Sequence, residues 1–195
     1  MQYWLSKVNM KKLAMVAFLL MLTACSSTST PKASTTPTAA PTITKTYSAP
    51  TDCTTTKILA ALPTDIPNPK FINTPWQPAA GTELADVLNN AGIACSYGNQ
   101  SAAIGATILW VNDKGMYDKR ITDWGQKGYV KVDLPNLDES SAYLLFKPVS
   151  ATQEFHIWIL NFLFHGVWIQ VNATYVNDLN QAAPLINAAL ASLTS

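Results

Sequence analysis

Charged residues are scarce in this 195-residue chain, at 13% of the total, and the chain has only three cysteines and two histidines. So few histidines and cysteines leave little material for a Ser/His/Asp catalytic site or a zinc site. From Thr51 onward the chain has 8 basic and 12 acidic residues, and it lacks a basic patch. Nucleic-acid binding depends on such a patch. The sequence therefore argues against nucleic acid as a partner and predicts no metal site and no cofactor.

The apolar run near the N-terminus is too short to span a membrane. It has ten residues, 13–22, which cover about 15 Å as a helix, roughly half the hydrocarbon thickness. Lysines precede it and Thr23-Ala24-Cys25 follows it. A basic start, a short apolar stretch and a small-residue cleavage site make up a secretory signal. Residues 1–24 therefore predict a signal peptide, with an N-terminal membrane helix as the alternative.

The motif Leu22-Thr23-Ala24-Cys25 resembles the lipobox of bacterial lipoproteins, with Leu three residues before the Cys and small residues between them. The resemblance implies cleavage after Ala24 and a diacylglycerol on Cys25, which becomes the new N-terminus. Two acyl chains anchor a protein stably, because each buried methylene contributes about 0.8 kcal/mol. We therefore expect a lipid anchor at Cys25 that holds the protein on the extracytoplasmic face of the cell membrane. An exported soluble protein, with Cys25 as a chance thiol, is the alternative.

Residues 25–50 are predicted to form a disordered tether behind the lipidated cysteine. From 26 to 50 the chain has 13 Ser or Thr and 4 Pro, with almost no large apolar side chain. Such a composition cannot bury a core. A flexible segment of this length reaches about 25–30 Å, so it would hold a folded domain close to the membrane.

Cys53 and Cys95 form an even pair once Cys25 is lipidated. On the oxidising side of a membrane such a pair predicts a disulfide. Closing a loop of about 43 residues stabilises a fold by roughly 4 kcal/mol in the chain-entropy model. A reactive thiol pair is the alternative, although no CxxC spacing supports it.

Residues 51–195 are predicted to form one α+β domain. We expect an antiparallel sheet of about five to six strands, with an N-terminal helix and a C-terminal helix packed on one face. Hydroxyl caps precede an apolar run at 54–62, and an amphipathic stripe marks 178–193. Residues 64–78 are too rich in proline for regular structure. The predicted strands are 93–97, 106–111, 129–133, 141–146, 154–164 and 167–174.

The last two predicted strands form a hairpin around His165-Gly166, read as a two-residue turn. This turn places Asn161 opposite Gln170 and gives the hairpin two unlike faces. One face is almost wholly apolar and should lie under helices. The other, called the mixed face below, has neutral amides beside large apolar groups, and we expect a ligand cleft at Asn161, Trp168, Gln170 and Asn172. Alternatively, the Pro-rich segment half covers this face and its backbone bonds the amides.

Several features together resemble small secreted lipoproteins of actinobacteria whose function is unknown and, more distantly, the extracellular sensor domains of mycobacterial Ser/Thr kinases. They are Cys53 at the start of a helix, Cys95-Ser96-Tyr97 opening the sheet, the strand Val167-Trp-Ile-Gln-Val171 and the last amphipathic helix. The resemblance implies an α+β sheet with a shallow groove and a binding or sensing role. It supplies no catalytic residues.

The leading functional hypothesis is a non-enzymatic, membrane-anchored binding module for a small molecule, a lipid or an envelope glycan on the mixed face. A second hypothesis is a cell-envelope hydrolase that uses loop carboxylates, since glycoside cleavage needs a carboxylate pair. A third is a protein that modulates a membrane complex without a small ligand. The candidate carboxylates for the hydrolase are Asp133, Asp138 and Glu139.

Overall fold

The computed structural model describes residues 45–134, 137, 141–151 and 156–195. The predicted signal peptide, Cys25 and the tether up to residue 44 lie outside the described residues. So do Asp138, Glu139 and the first two residues of the strand predicted at 154–164. None of the helices in the described part of the chain combines the length and the hydropathy that crossing a bilayer demands.

The domain has the predicted α+β class. Its helices are α1 Glu83–Asn89, α2 Lys114–Gln126 and α3 Leu179–Ala191, and two short 3-10 turns occupy Cys53–Thr55 and Leu59–Ala61. The strands of the described residues are β1 Lys70–Ile72, β2 Ile93–Asn99, β3 Ile104–Val111, β4 Val130–Asp133, β5 Ser141–Lys147, β6 Ile157–Phe164 and β7 Val167–Ala173.

These seven strands, counted over the described residues, form one sheet in the order β1-β2-β3-β7-β6-β5-β4. Every neighbouring pair is antiparallel. The prediction of five to six strands was therefore too low. The additional strand is β1, which lies inside the segment predicted to be irregular. Its three residues fit between Pro69 and Pro75 because proline is tolerated beside a short strand at the edge of a sheet.

The N-terminal helix predicted at 54–62 is replaced by the two 3-10 turns. Asp52 caps the first turn, since its Oδ1 accepts from the Thr54 amide at 2.8 Å. Thr55 Oγ1 donates to the Asp52 carbonyl at 2.9 Å, and Thr56 Oγ1 donates to the Cys53 carbonyl at 3.0 Å. Such local side-chain bonds compete with the helix ladder. Three consecutive threonines therefore favour a turn at this point.

The predicted disulfide is present and joins Cys53 to Cys95, with the sulfur atoms 2.03 Å apart. It ties the first 3-10 turn to β2. The Tyr97 hydroxyl strengthens the same junction by donating to the Cys53 carbonyl at 2.7 Å.

The apolar face of the sheet packs against α3 and the N-terminal turns. Trp110 fixes α3 in place, because its Nε1 donates to the Ala189 carbonyl at 3.1 Å. Asp178 caps the same helix through the Gln181 amide at 2.9 Å. This core contains Ile58 and Leu62 from the turns, Leu185 and Ala189 from α3, and Trp158, Leu160, Phe162, Ile169 and Val171 from the sheet.

The opposite face carries a second layer of helix. Tyr117 and Trp124 of α2 are buried against this face, and their rings lie 5.1 Å apart, edge to face. Val87 of α1 packs into the same cluster. The sheet contributes Ala94, Leu109, Val111, Leu163 and Trp168. Helical residues therefore pack on both faces of the sheet.

The His165-Gly166 turn has the predicted two-residue form. Both residues have positive φ, 46° and 85°, as the favoured hairpin turn requires. The predicted register is confirmed, with Asn161 opposite Gln170 and Ile159 opposite Asn172.

Residues 47–50, the last part of the segment predicted to be a disordered tether, are ordered and packed on the domain, beside this turn. The Tyr47 ring stacks on the His165 ring at 4.9 Å and meets the Phe164 ring edge to face at 5.1 Å. Ser48 pairs with Thr194 in an isolated β-bridge. The chain therefore joins the domain at the turn end of the β6–β7 hairpin.

Candidate functional site: an uncharged groove

The mixed face is divided into a covered half and an open half. α1 and α2 cover the half that contains Trp168, Asn161 and Gln170, whose exposed fractions are 1%, 0% and 7%. The open cleft expected at these three residues is therefore wrong, because helices occupy the space above them. Asn172 lies one row further along the strands and is partly exposed.

A hydrogen-bond network fills the covered half. The Asn161 Oδ1 accepts from Trp168 Nε1 at 3.0 Å and from Gln170 Nε2 at 2.9 Å. Glu83 closes the network, since its carboxylate accepts from Gln170 Nε2 at 2.7 Å and from Trp124 Nε1 at 2.8 Å. Buried polar groups require such partners. The amides therefore bond helix and sheet side chains, rather than the Pro-rich backbone, and they position α1 and α2 on the sheet.

Two further groups border this network. Lys127 Nζ lies 3.9 Å from the Glu83 carboxylate. Burial raises the pKa of the Tyr129 hydroxyl, and the Glu83 charge raises it further, while the Asn161 amide partly opposes them. Tyr129 is therefore a neutral hydroxyl at physiological pH. The covered half is a buried structural network rather than a free binding surface, although the Asn161 Nδ2 within it has no hydrogen-bond partner in the described structure.

The open half is a row of side chains that crosses four strands. Ile72 pairs with Ser96, Ser96 with Thr107, and Thr107 with Asn172. Strand neighbours are about 4.8 Å apart, so this row is about 14 Å long. A cavity of about 480 Å³ lies along it, and we call this cavity the groove.

The groove is lined by hydroxyls and amides without a charged side chain among its described lining residues. Ser96 Oγ and Thr107 Oγ1 are hydrogen-bonded to each other at 2.9 Å. The Asn172 amide makes no hydrogen bond within the described part of the chain, so its donors and acceptor are open to a ligand. The polar lining consists of Thr74, Ser96, Asn99, Gln100, Thr107, Asn172 and Thr174.

Two glycines face each other at the end of β2 and the start of β3, beside the groove. Gly98 pairs with Gly105. A Cβ at Gly98 would lie 2.3 Å from the Ile104 carbonyl oxygen, and one at Gly105 would lie 2.2 Å from the Tyr97 carbonyl oxygen. Any larger residue would push the strands apart. The two glycines therefore allow the close backbone approach that places Ile104 and Tyr97 on the groove wall.

Of the four predicted ligand residues, the structure places Asn172 in the groove and the other three in the covered network. The partners of Asn172 in the groove, Ser96 and Thr107, were missed. The two glycines could have indicated that Ser96 faces Thr107, because glycines that face each other across two strands define the register of the β2–β3 pair. That register places Ser96 opposite Thr107.

The structure describes one of the three carboxylates proposed for a hydrolase, Asp133. Asp133 borders a separate cavity of about 400 Å³ between the end of β4 and α3, beside Leu134 and Ile186. It is the one carboxylate in the described lining of that cavity, while Asp138 and Glu139 lie outside the described residues. Over the same described ranges, no group of three or more residues is suited to hold a metal ion.

Comparison with protein-family models, with curated proteins and with solved structures finds no match for this chain. Function is a property of sites rather than of folds. The features that indicate a function are therefore the groove and the sequence that precedes the domain.

Proposed function

We propose that this protein is a lipid-anchored, extracytoplasmic binding module that holds a small molecule or an envelope component in the groove. The observation that carries the proposal is the open half of the mixed face, a cavity of about 480 Å³ lined by neutral hydroxyls and amides. A concave site with a few convergent polar groups is typical of ligand binding.

The chemistry of the groove favours binding over turnover. Hydrolysis requires a general acid or base, or a nucleophile with an adjacent base. The described lining offers hydroxyls such as Ser96 and Thr107 without a histidine or carboxylate beside them. The free amide of Asn172 can donate and accept hydrogen bonds, which suits recognition.

Two features of the sequence and fold support export and anchoring. The Leu22-Thr23-Ala24-Cys25 motif supplies a thiol at the predicted cleavage point, behind a short apolar run. The Cys53–Cys95 disulfide suits an oxidising compartment, where such bonds persist. The protein would then present its domain outside the cytoplasm.

The anchor is tested by the intact mass of the protein extracted from membranes. We expect a chain that begins at Cys25 and carries acyl chains, whereas a Cys25→Ser variant should remain unacylated and be released from the membrane. The thiols of Cys53 and Cys95 should be alkylated only after reduction. A full-length unmodified mass, with the protein still in the membrane fraction, would contradict the proposal.

The groove is tested by filling it. In Asn172→Arg a long charged side chain enters the groove, while Asn89→Arg, at an exposed position of α1, is the matched control. Lipid, glycan and low-mass fractions of the envelope are passed over the immobilised full chain, and retained molecules are identified by mass spectrometry. We expect a component retained by the wild type and by Asn89→Arg that Asn172→Arg loses. Identical retention by all three proteins would contradict a binding role for the groove.

A further inference from the structure

The polar side chains that line the groove are all neutral hydroxyls or amides. Thr74 Oγ1 already donates to the Ile72 carbonyl at 3.2 Å, and Ser96 and Thr107 share one hydrogen bond, so these three hydroxyls keep one free donor and several acceptor positions. The Asn172 and Gln100 amides can each donate and accept. A ligand rich in hydroxyls can donate to the free acceptor positions and can also accept from the amides. A charged ligand would lose hydration and find no opposite charge in the described lining.

The shape of the groove favours an extended ligand. The row from Ile72 to Asn172 crosses β1, β2, β3 and β7 over about 14 Å. The cavity is open to solvent rather than enclosed. An acyl chain needs an enclosed apolar cavity to gain from burial, so this groove suits a polar chain that lies along its length.

The apolar part of the wall is small. Ile72 and Ile104 can contact C–H groups of a ligand. The Tyr97 ring is 2% exposed and its hydroxyl already donates to the Cys53 carbonyl, so it cannot act as a stacking platform. The hydrogen bonds, rather than ring stacking, must supply specificity.

Charge beyond the groove separates neutral from anionic ligands. The chain from Thr51 onward has 12 acidic against 8 basic residues, which disfavours anionic polymers and anionic lipid surfaces. A neighbouring cavity shares Asn99 and Gln100 with the groove, and Lys70 is the one charged residue in its described lining. Replacing Lys70 with alanine therefore distinguishes the two ligand classes, because binding of an anionic ligand would weaken and binding of a neutral ligand would not.

We infer that the ligand of this groove is an uncharged glycan chain, bound across β1, β2, β3 and β7 through the hydroxyls of Ser96 and Thr107 and the amide of Asn172. This inference rests on the proposed function and names its ligand class.

The test is a titration of the full chain, held in a polyoxyethylene detergent that contains no sugar. The neutral probes are linear gluco- and manno-oligosaccharides, and the anionic probes are polyphosphate and phosphatidylglycerol vesicles. We expect binding of a neutral probe that is weakened about 3- to 10-fold in Asn172→Ala, the effect of losing one neutral hydrogen bond. Asn89→Ala, at an exposed position of α1, should bind like the wild type. Binding should also be unchanged by Lys70→Ala and between 50 and 200 mM salt, since no ion pair is involved.

A second variant guards against misfolding. Thr107→Val keeps the side-chain shape and removes the hydroxyl, and circular dichroism shows whether each variant is folded. Binding of anionic probes only, lost in Lys70→Ala or in high salt, would overturn the inference and leave the proposed function standing. Failure of both neutral series to bind would overturn it as well. Equal retention of envelope components by the wild type and Asn172→Arg would instead remove the proposed function itself.

Discussion

Replacing both Cys53 and Cys95 with alanine is expected to lower the free energy of unfolding by about 4 kcal/mol. The disulfide closes a loop across a sequence separation of 42, and the unfolded chain regains the entropy of that loop when the bond is lost. Cys95 is fully buried, so alanine there also leaves a small void. The N-terminal turns would then be held by the buried side chains of Ile58 and Leu62 and by the Tyr97 hydrogen bond.

The measurements are urea unfolding, which gives the free energy, and thermal unfolding, which gives the melting temperature, of the full chain with and without reductant. For a domain of this size we expect the melting temperature to fall by about 10–20 °C. Reductant should destabilise the wild type and leave the double variant unchanged, which makes the variant its own control. A loss below about 1 kcal/mol would mean that packing of Ile58 and Leu62 alone holds the N-terminal turns, against the chain-entropy account.

Stability is expected to fall steeply as the pH rises above about 10. Burial raises the pKa of Tyr97, Tyr117, Tyr129 and Tyr175 above the ordinary value of 10.0. Above pH 10 the unfolded chain loses these protons while the folded protein keeps them, so rising pH lowers the free energy of the unfolded state relative to that of the folded one. Each tyrosine lowers the free energy of unfolding by at most about 1.4 kcal/mol per pH unit, and partial exposure reduces this figure. Below pH 10 the contribution is fully present.

Urea unfolding between pH 8 and 11.5, with absorbance at 295 nm to follow phenolate, measures this dependence. Tyr175→Phe is the informative variant, because the Tyr175 hydroxyl has no hydrogen-bond partner in the described structure. We expect a shallower loss of stability above pH 10 and an unchanged or higher stability at pH 7. A flat profile up to pH 11.5 would show that these hydroxyls titrate in the folded protein as they do in the unfolded chain.

The parts of the fold that the sequence predicts are those that depend on near neighbours. His165-Gly166 specifies its own turn, and the turn then fixes the register that places Asn161 opposite Gln170. The Cys53–Cys95 pairing follows from parity, given an exported chain. Each of these features needs only a few adjacent residues or a count.

The parts that the sequence does not predict depend on contacts between distant segments. Nothing near Gln170 indicates that its partner is Glu83, 87 residues away. In the sequence, neutral amides beside Trp168 look the same whether they line a ligand cleft or hydrogen-bond to one another under helices. The choice depends on whether α1 and α2 lie above it, and only the packing of Trp124 and Val87 decides that.

The groove was partly predictable for the same reason. Asn172 was identified from the hairpin, because its face follows from a local turn. Ser96 and Thr107 belong to β2 and β3, and their position beside Asn172 depends on the β3–β7 pairing. That pairing joins strands that are far apart in the chain, so no local pattern contains it.

The contact of Tyr47 with the β6–β7 turn shows where the preceding chain meets the domain relative to the groove. Tyr47 stacks at His165, whereas the groove includes Asn172 and Thr174 near the opposite end of β7. The six residue steps from Val167 to Ala173 separate these ends by about 20 Å. The chain therefore enters the domain beside one end of β7, and the groove lies at the other end.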